Sequence, residues 1–419
     1  MSSHEQKDKE SLAENDHRRL GQELDLFTFS DLVGSGLPLW LPKGATLRRI
    51  LERFVIDTEI SWGYQHVVTP DIAKLDLYKK SGHYPYYKDS MYAPIQIDEH
   101  EFMLRPMTCP HHFEVYNRCP HSYRELPMRI AELSKLYRYE GSGELAGLVR
   151  VRSFCLADAH VICADKNQAA EEIGRALDLI EHIASVFNLT LGKDYWYRLS
   201  LGDRNDEKKY YKNDTAWEEG EAMLRDVLSK RGGKFVEATN EAAFYGPKID
   251  IQMKDVRGKE NTAFTVQYDF CMPDRFNLNY IDADGKEKRP VVVHRSSIGA
   301  IERVIAFLIE HFSGAFPLWL SPVQIMVLPV SEKHLAYAKK IHKNLLQEGL
   351  RAEISAGDES LGKRIRTVKM QKTPFFLIVG DEEVSHDTVT LESRDQGKIG
   401  TMPLNDVISL LAKEIANKK

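Results

Sequence analysis

The chain has 419 residues, 42% of them hydrophobic and 28% charged, with a formal net charge of -5. That length exceeds one ordinary core and implies about two domains, while the negative balance excludes a protein that grips nucleic acid by bulk charge alone, though not one with a local basic patch. No apolar run approaches the roughly 18 residues of a membrane span, and "MSSHEQKDKESLAENDHRRLG" lacks the apolar stretch of a signal peptide, so a cytoplasmic protein is expected.

From Thr46 to Trp62 the apolar residues Leu47, Ile50, Leu51, Phe54 and Val55 recur at helical spacing, and Gly63 marks the stop. "YQHVVTP" follows as a short β-rich segment closed by Pro70, and strand-like runs with turn signals fill the next stretch. Ile173, Leu177, Ile180, Ala184 and Phe187 predict a second helix; a third runs from about Trp217 to Leu228 and stops before Gly232. "KIDIQMK" and "FTVQYDF" alternate apolar with polar residues, as antiparallel strands with one face in the core do. In "AIERVIAFLIEHF", Ile301, Val304, Ile305, Leu308 and Phe312 describe a buried helix. Strands punctuated irregularly by helices predict an α+β domain on an antiparallel sheet. After "FPLWLSP" come the strand "VQIMVLPV", a helix near Ala336 to Leu346, "RAEIS", a helix from about Leu361 to Met370, "FFLIVG", further strand, and a helix from about Leu404. That alternation predicts a small three-layer α/β module beginning near Pro317 to Pro322.

The segment Leu136 to Cys163 carries the densest chemistry. Gly141, Gly143 and Gly147 interrupt two strand-like runs, which together make a long-looped hairpin. Strand parity puts Arg150, Arg152, Phe154, Leu156, Asp158 and His160 on one face, and Val149, Val151, Ser153, Cys155, Ala157, Ala159 and Val161 on the other. With Arg138 and Glu140 on the partner strand, the first face offers guanidinium groups for phosphates and a flat ring for a base, as a nucleoside triphosphate requires. The alternative is a solvated strand with scattered charge. The cysteines, Cys109, Cys119, Cys155, Cys163 and Cys271, are odd in number and form no CxxC pair, which argues against a disulfide framework; each is a reduced thiol or a ligand. In "RPMTCPHH" (Arg105 to His112), residue type alone leaves Cys109 open to both readings.

On these stretches the chain resembles the catalytic and anticodon-binding parts of the threonyl-tRNA synthetases, which are class II aminoacyl-tRNA synthetases, from about Asp16 onward. The helix and strand ending at Pro70, "RYE" with its loop and "RVRSF", and "GAIER" (Gly299 to Arg303) correspond to the three class II motifs. "RPMTCPHH", "DAH" (Asp158 to His160), "AFYGPKI", "VQYDF" and "VHRSSIGAIER" are the more specific matches. The resemblance implies a class II antiparallel sheet with flanking helices over residues 1–318 and an α/β anticodon-binding domain over 319–419. It also implies one zinc ion per chain on Cys109, His160 and His294 with a position open to substrate, while His111, His112 and the other cysteines are not ligands.

The implied activity is that of a ligase which activates L-threonine with ATP to threonyl-adenylate and transfers it to the 3′ end of threonine tRNA, as a homodimer, with Mg2+ bound through the ATP phosphates. By resemblance, Arg138 holds the α-phosphate and the threonine carboxylate, Glu140 the adenine amino group and Arg150 the γ-phosphate. Phe154 and Arg303 flank the base, and Lys248 and Gln267 lie near phosphates and ribose. Zinc takes the amino and hydroxyl groups of threonine and so excludes valine, with Met107, Asp158 and Tyr245 around the amino acid. Lys363, Arg364 and Arg366 in the basic stretch "GKRIRTVKMQK", together with Arg394, are expected against tRNA; a solvated helix face is the alternative for that stretch.

Four positions depart from the family pattern. Leu156 stands where a glutamine is usual, Ala300 where a small polar residue is, and Asp358 and Glu392 where an asparagine and an arginine face the anticodon. Full-length bacterial members carry N-terminal domains, one of which hydrolyses seryl-tRNA; this chain begins at the catalytic domain without such an editing domain, as expected either of a truncated chain or of a natural editing-free enzyme. The alternative function is a synthetase paralogue that activates an amino acid for a non-tRNA acceptor or only binds RNA, which Asp358 and Glu392 keep open.

Overall fold

The computed structural model describes residues 12–418 except 207, 233 and 356–358. They fall into two compact units. One comprises Asp31–Leu37 and Glu52–Ala306, and the other Pro38–Leu51, Phe307 onward and the stretch up to Ser30. In chain order the main elements are α1 (Pro42–Ser61), β1 (Gln65–His66), α2 (Cys109–Tyr116), β2 (Met128–Tyr137), β3 (Ser153–Cys163), α3 (Lys166–Val186), β4 (Tyr195–Leu201), α4 (Asp214–Lys230), β5 (Phe235–Thr239), β6 (Lys248–Lys254), β7 (Glu260–Asp269), β8 (Val291–Ala300) and α5 (Ile301–His311). The chain continues through β9 (Ile325–Pro329), α6 (Leu335–Gln347), β10 (Ala352–Ile354), α7 (Leu361–Met370), β11 (Phe375–Val379), β12 (Val389–Ser393), β13 (Gly397–Met402) and α8 (Leu404–Ala416).

The larger unit is built on an eight-stranded sheet in the order β5-β4-β6-β7-β8-β3-β2-β1. Its interior pairs are antiparallel, and only β5 with β4 and β1 with β2, at the two edges, run parallel. One face is covered by α3, which packs on β8 and β7. Asp165 caps that helix by accepting from the Asn167 and Gln168 amides, and Ile173, Leu177, Ile180 and Ala184 present the apolar stripe the sequence predicts. Ala157, Ala159 and Val161 are buried on β3, while Phe154, Leu156, Asp158 and His160 look the other way, into a cavity. Parity therefore sorts β3 as expected. It fails one step earlier, because regular pairing begins at Ser153. Arg152 lies off the cavity, donating to the Glu140 carbonyl and stacking 5.3 Å from the Tyr139 ring centre.

Strand β8 pairs His294 with His160 and Ser296 with Asp158, then slips before Ala300 meets Leu156. The slip is made by Gly299, at φ +71°, where a Cβ would sit 2.0 Å from the Ala263 carbonyl oxygen. Behind the strand, Arg295 Nη1 and Ser297 Oγ both donate to Glu59 Oε1 of α1 at 2.5 Å, and His66 lies 2.9 Å from Glu59 Oε2. Burial alone would raise the Glu59 pKa, but Arg295, His66 and Ser297 outweigh it and hold the carboxyl below its usual range.

The strand-like runs expected after Pro70 are realised partly as a three-stranded sheet of Ile72–Lys74, His100–Leu104 and Ile95–Ile97. Helices occupy the rest, and Cys109 opens one of them: Pro110 in the first turn of α2 suits a helix start, where a missing amide hydrogen costs nothing.

The smaller unit carries a five-stranded sheet, β10-β9-β11-β12-β13, parallel across the first three strands and antiparallel beyond. Ile325, Val327, Leu345, Leu377, Leu391 and Leu411 form its core. Helix α7 spans the predicted residues, capped by Ser360. A short helix, Asp381–His386, went unpredicted because "DEEVSH" has one apolar residue and no period to read. Among the described residues no helix is long and apolar enough to cross a membrane.

Candidate functional site

A cavity of about 660 Å3, within the usual range for small-molecule sites, opens on the sheet face opposite α3. At one end Cys109, from the first turn of α2, meets His160 of β3 and His294 of β8. One donor atom from each lies within 4.8 Å of the others, and all three residues are buried. The two histidines face each other across the ladder, with ring centres 4.5 Å apart. The outer nitrogen of each ring is already occupied. His294 Nε2 lies 2.7 Å from Asp269 Oδ2, whose other oxygen accepts from the Cys271 and Met272 amides, and His160 Nδ1 lies 2.8 Å from His112 Nδ1. That leaves Nε2 of His160 and Nδ1 of His294 for a ligand. Burial pushes the Cys109 thiol well up, and Asp158 and Asp269 add to the effect, so a thiolate at this position calls for a cation beside it. One sulfur and two imidazole nitrogens form a donor set suited to a borderline-soft divalent ion.

Beside this group, Met107, Asp158, Tyr245 and His83 line the cavity. Tyr245 stacks on His294 at 4.8 Å and donates its hydroxyl hydrogen to Gln267 Oε1 at 2.5 Å. Burial raises the Asp158 pKa against the pull of nearby His112 and His294.

Farther along, Arg138, Arg150 and Arg303 converge with Phe154 and Glu140. The Arg138 guanidinium lies 5.2 Å over the Phe154 ring centre and donates to the Pro106 carbonyl at 3.2 Å. Arg303 is anchored on the Val149 and Thr262 carbonyls at 2.9 and 2.6 Å; burial, then Arg138 and Arg150, lower its pKa to about 10. Arg150 pairs with Glu144 at 3.1 Å. Three guanidinium groups within mutual electrostatic reach form an anion-binding wall beside a flat ring. Lys248 borders the cavity, held 2.6 Å from Asp250 Oδ2, which also accepts from Ser200 and Arg198. Leu156 and Ala300 pack together with Phe154, Val151 and Leu136, so the two departures meet in one apolar patch on the floor.

The expected tRNA contacts divide. Lys363 and Arg366 project from α7 as exposed side chains. Arg364 does not: it is 5% exposed and donates to the carbonyls of Pro329, Ser355 and Glu359, which makes it a staple inside the smaller unit. Helical periodicity explains the correction, since Arg364 shares the inward face with Val368. Arg394 is likewise committed, to both Asp395 oxygens and to the Lys372 carbonyl. Glu392 sits half-buried on β12, and Asp358 lies outside the described residues.

Sequence reading missed four neighbours of the donor group: His83, 3.8 Å from the Cys109 sulfur, His112 as a contact of His160, Glu132 behind it, and Asp269. Only Asp269 carried a signal, as the acid ending the strand "VQYDF". His111, by contrast, is buried with both ring nitrogens lacking a hydrogen-bond partner, and burial depresses its pKa to about 4.

Residues 92–312 match the family described as tRNA synthetase class II core domain (G, H, P, S and T), and residues 324–414 match the anticodon binding domain. A threonine–tRNA ligase of Geobacillus kaustophilus is 48% identical over 411 residues, which is 98% of this chain and 62% of that protein. One of Streptococcus gordonii is 48% identical over 412 residues, 98% of this chain and 63% of that one. The chain thus spans about 62% of the length of such curated relatives. A crystal structure titled as the RNA binding domain of threonyl-tRNA synthetase from Cryptosporidium parvum superposes with a TM-score of 0.89 at 36% identity, covering 95% of this chain and 98% of that one. The chain belongs to the class II tRNA synthetases, among their threonyl-tRNA synthetases.

Proposed function

We propose that the chain activates L-threonine with ATP and passes the threonyl group to threonine tRNA. The observation that carries this reading is one cavity holding both the N,N,S donor group and the three-arginine wall with Phe154. Zinc suits the donor group, held by Cys109, His160 and His294; when bound it supplies an open Lewis-acidic position for the amino and hydroxyl groups of threonine. Asp158 and Tyr245 orient those groups from the cavity wall, and an amino acid without the hydroxyl loses both partners, which is the basis for rejecting valine.

Arg138 and Arg150 hold phosphate oxygens, Arg303 and Phe154 flank the base, and Glu140 accepts from the adenine amino group. Displacement at the α-phosphorus needs little more than such positioning and fixed charge, with Mg2+ accompanying the phosphates. Domains over 1–318 and 319–419, a homodimer and a cytoplasmic setting complete the reading. ATP–pyrophosphate exchange with threonine, serine and valine, followed by charging of threonine tRNA, tests it. Exchange with threonine but not valine, then charging, is expected; absence of threonine exchange overturns it, and exchange without charging transfers the case to an altered acceptor.

The two classes of basic residue on α7 separate by tRNA binding and thermal stability. Lys363→Ala combined with Arg366→Ala is expected to weaken tRNA binding and flatten its log salt dependence by about two units, with the melting temperature unchanged. Arg364→Ala is expected to destabilise the smaller unit by about 1–3 kcal/mol, because the carbonyls of Pro329, Ser355 and Glu359, the first of them buried, lose their donor. Filter binding across a salt series and thermal unfolding read the two effects.

A further inference from the structure

His112 supplies no donor to the Cys109, His160 and His294 group, yet it touches that group from behind. Its Nδ1 lies 2.8 Å from His160 Nδ1 and its Nε2 lies 3.3 Å from Glu132 Oε2, with all three residues buried. Glu132 is surrounded by donors. The Thr69 hydroxyl reaches it at 2.7 Å, the Thr69 amide at 3.2 Å and the Arg105 guanidinium at 3.0 Å, and Arg105 is itself buried. A carboxylate so placed can only accept.

A neutral imidazole has one donor nitrogen and one acceptor. Because Glu132 accepts, His112 carries its hydrogen on Nε2 and presents a lone pair at Nδ1. His160 must then donate from its own Nδ1, which leaves the His160 lone pair on Nε2. We propose that Glu132 and His112 form a positioning relay that locks His160 in its Nε2-ligand tautomer, so that two residues outside the coordination sphere set the affinity of the metal site.

His294 reaches the same end by a shorter device, a direct bond from Nε2 to Asp269. Register explains why His160 needs two steps: on β2 the residue opposite His160 is Ile130, and Glu132 faces Asp158 two pairs farther along. His112 spans the gap from α2, three positions after Cys109 on the same helix, so one helix brings both a ligand and the orienter of a second.

The relay rests on the zinc reading above, and the test separates the two. Zinc affinity of the full chain, measured by chelator competition, and the visible spectrum of its cobalt form are compared across variants. His112→Leu and Glu132→Gln are each expected to weaken zinc binding about 10–100-fold. The double variant should weaken it no further, because both break one chain. In Glu132→Gln an amide hydrogen can replace the accepted one and reverse every tautomer along the relay. His112→Asn, whose side-chain oxygen can still accept from His160, should recover part of the loss, and His111→Ala should leave affinity unchanged. Should Glu132→Gln fail to fold beside Arg105, the His112 pair carries the comparison alone. Parental affinity in His112→Leu overturns the relay while leaving the metal site standing. A parent chain that binds no zinc overturns both.

Discussion

Replacing Cys109 by alanine is expected to remove bound metal and to lower threonine-dependent pyrophosphate exchange by more than about a hundredfold, since even an outer partner of a metal ligand is worth 10–100-fold. The argument is electrostatic. In its buried setting the thiol is pushed well above its usual pKa, so the residue alone is a neutral, inert group. Only beside a cation does it ionise, and then it adds a negative sulfur donor to the two imidazoles. Alanine removes that charge and leaves two nitrogens on neighbouring strands, too few for a closed site. Elemental analysis of purified parent and variant decides the matter, with thermal unfolding as the check that the fold survives. A full equivalent of zinc in Cys109→Ala would refute the assignment. Cys155→Ala is the matching control: its sulfur lies 3.8 Å from the Leu133 carbonyl, on the opposite face of β3, and its loss should leave metal content alone.

Arg138→Gln is expected to reduce kcat/KM for exchange by about 10²–10³-fold, equivalent to about 2.7–4 kcal/mol, the usual value of one preorganised donor aimed at developing charge. Its guanidinium is held between the Pro106 carbonyl and the face of Phe154, so little reorganisation is needed when an anion arrives. Glutamine keeps much of the length and loses the charge. Arg152→Gln gives the contrast. The sequence groups both arginines with the hairpin, but Arg152 is spent on the Glu140 carbonyl and the Tyr139 ring, and its replacement should change exchange little. Equal losses in the two variants would mean that charge on the hairpin in general, and not the placement of Arg138, drives the reaction.

The different fates of these two arginines mark how far the sequence could be read. Long amphipathic segments such as α3 and α5 and the alternating strands β6 and β7 were legible, because burial on one face forces a period on the residues. Parity then placed Phe154, Leu156, Asp158 and His160 on one face before any coordinates. It misplaced Arg152 because a strand must be paired for parity to hold, and pairing starts at Ser153. The donor group was invisible to spacing, since Cys109, His160 and His294 meet only through the sheet; it was found by resemblance. His83 and Glu132 left no trace, because their roles depend on contacts between elements far apart in the chain. Arg364 shows the opposite error: charge suggested a surface, whereas helical phase, available from the same letters, points inward.

The pairing of His160 directly with His294 has one more consequence. Their separation is set by a hydrogen-bond ladder, not by the length of chain between them, so changes of length confined to the loops that join the intervening elements leave the pairing in place. Tolerance to changes of length is bought with sensitivity to registry: a one-residue slip between β3 and β8 would turn one imidazole to the far side of the sheet. The irregularity at Gly299 falls between the Ser296–Asp158 and Ala300–Leu156 pairs, past the His294–His160 pair that carries the donors.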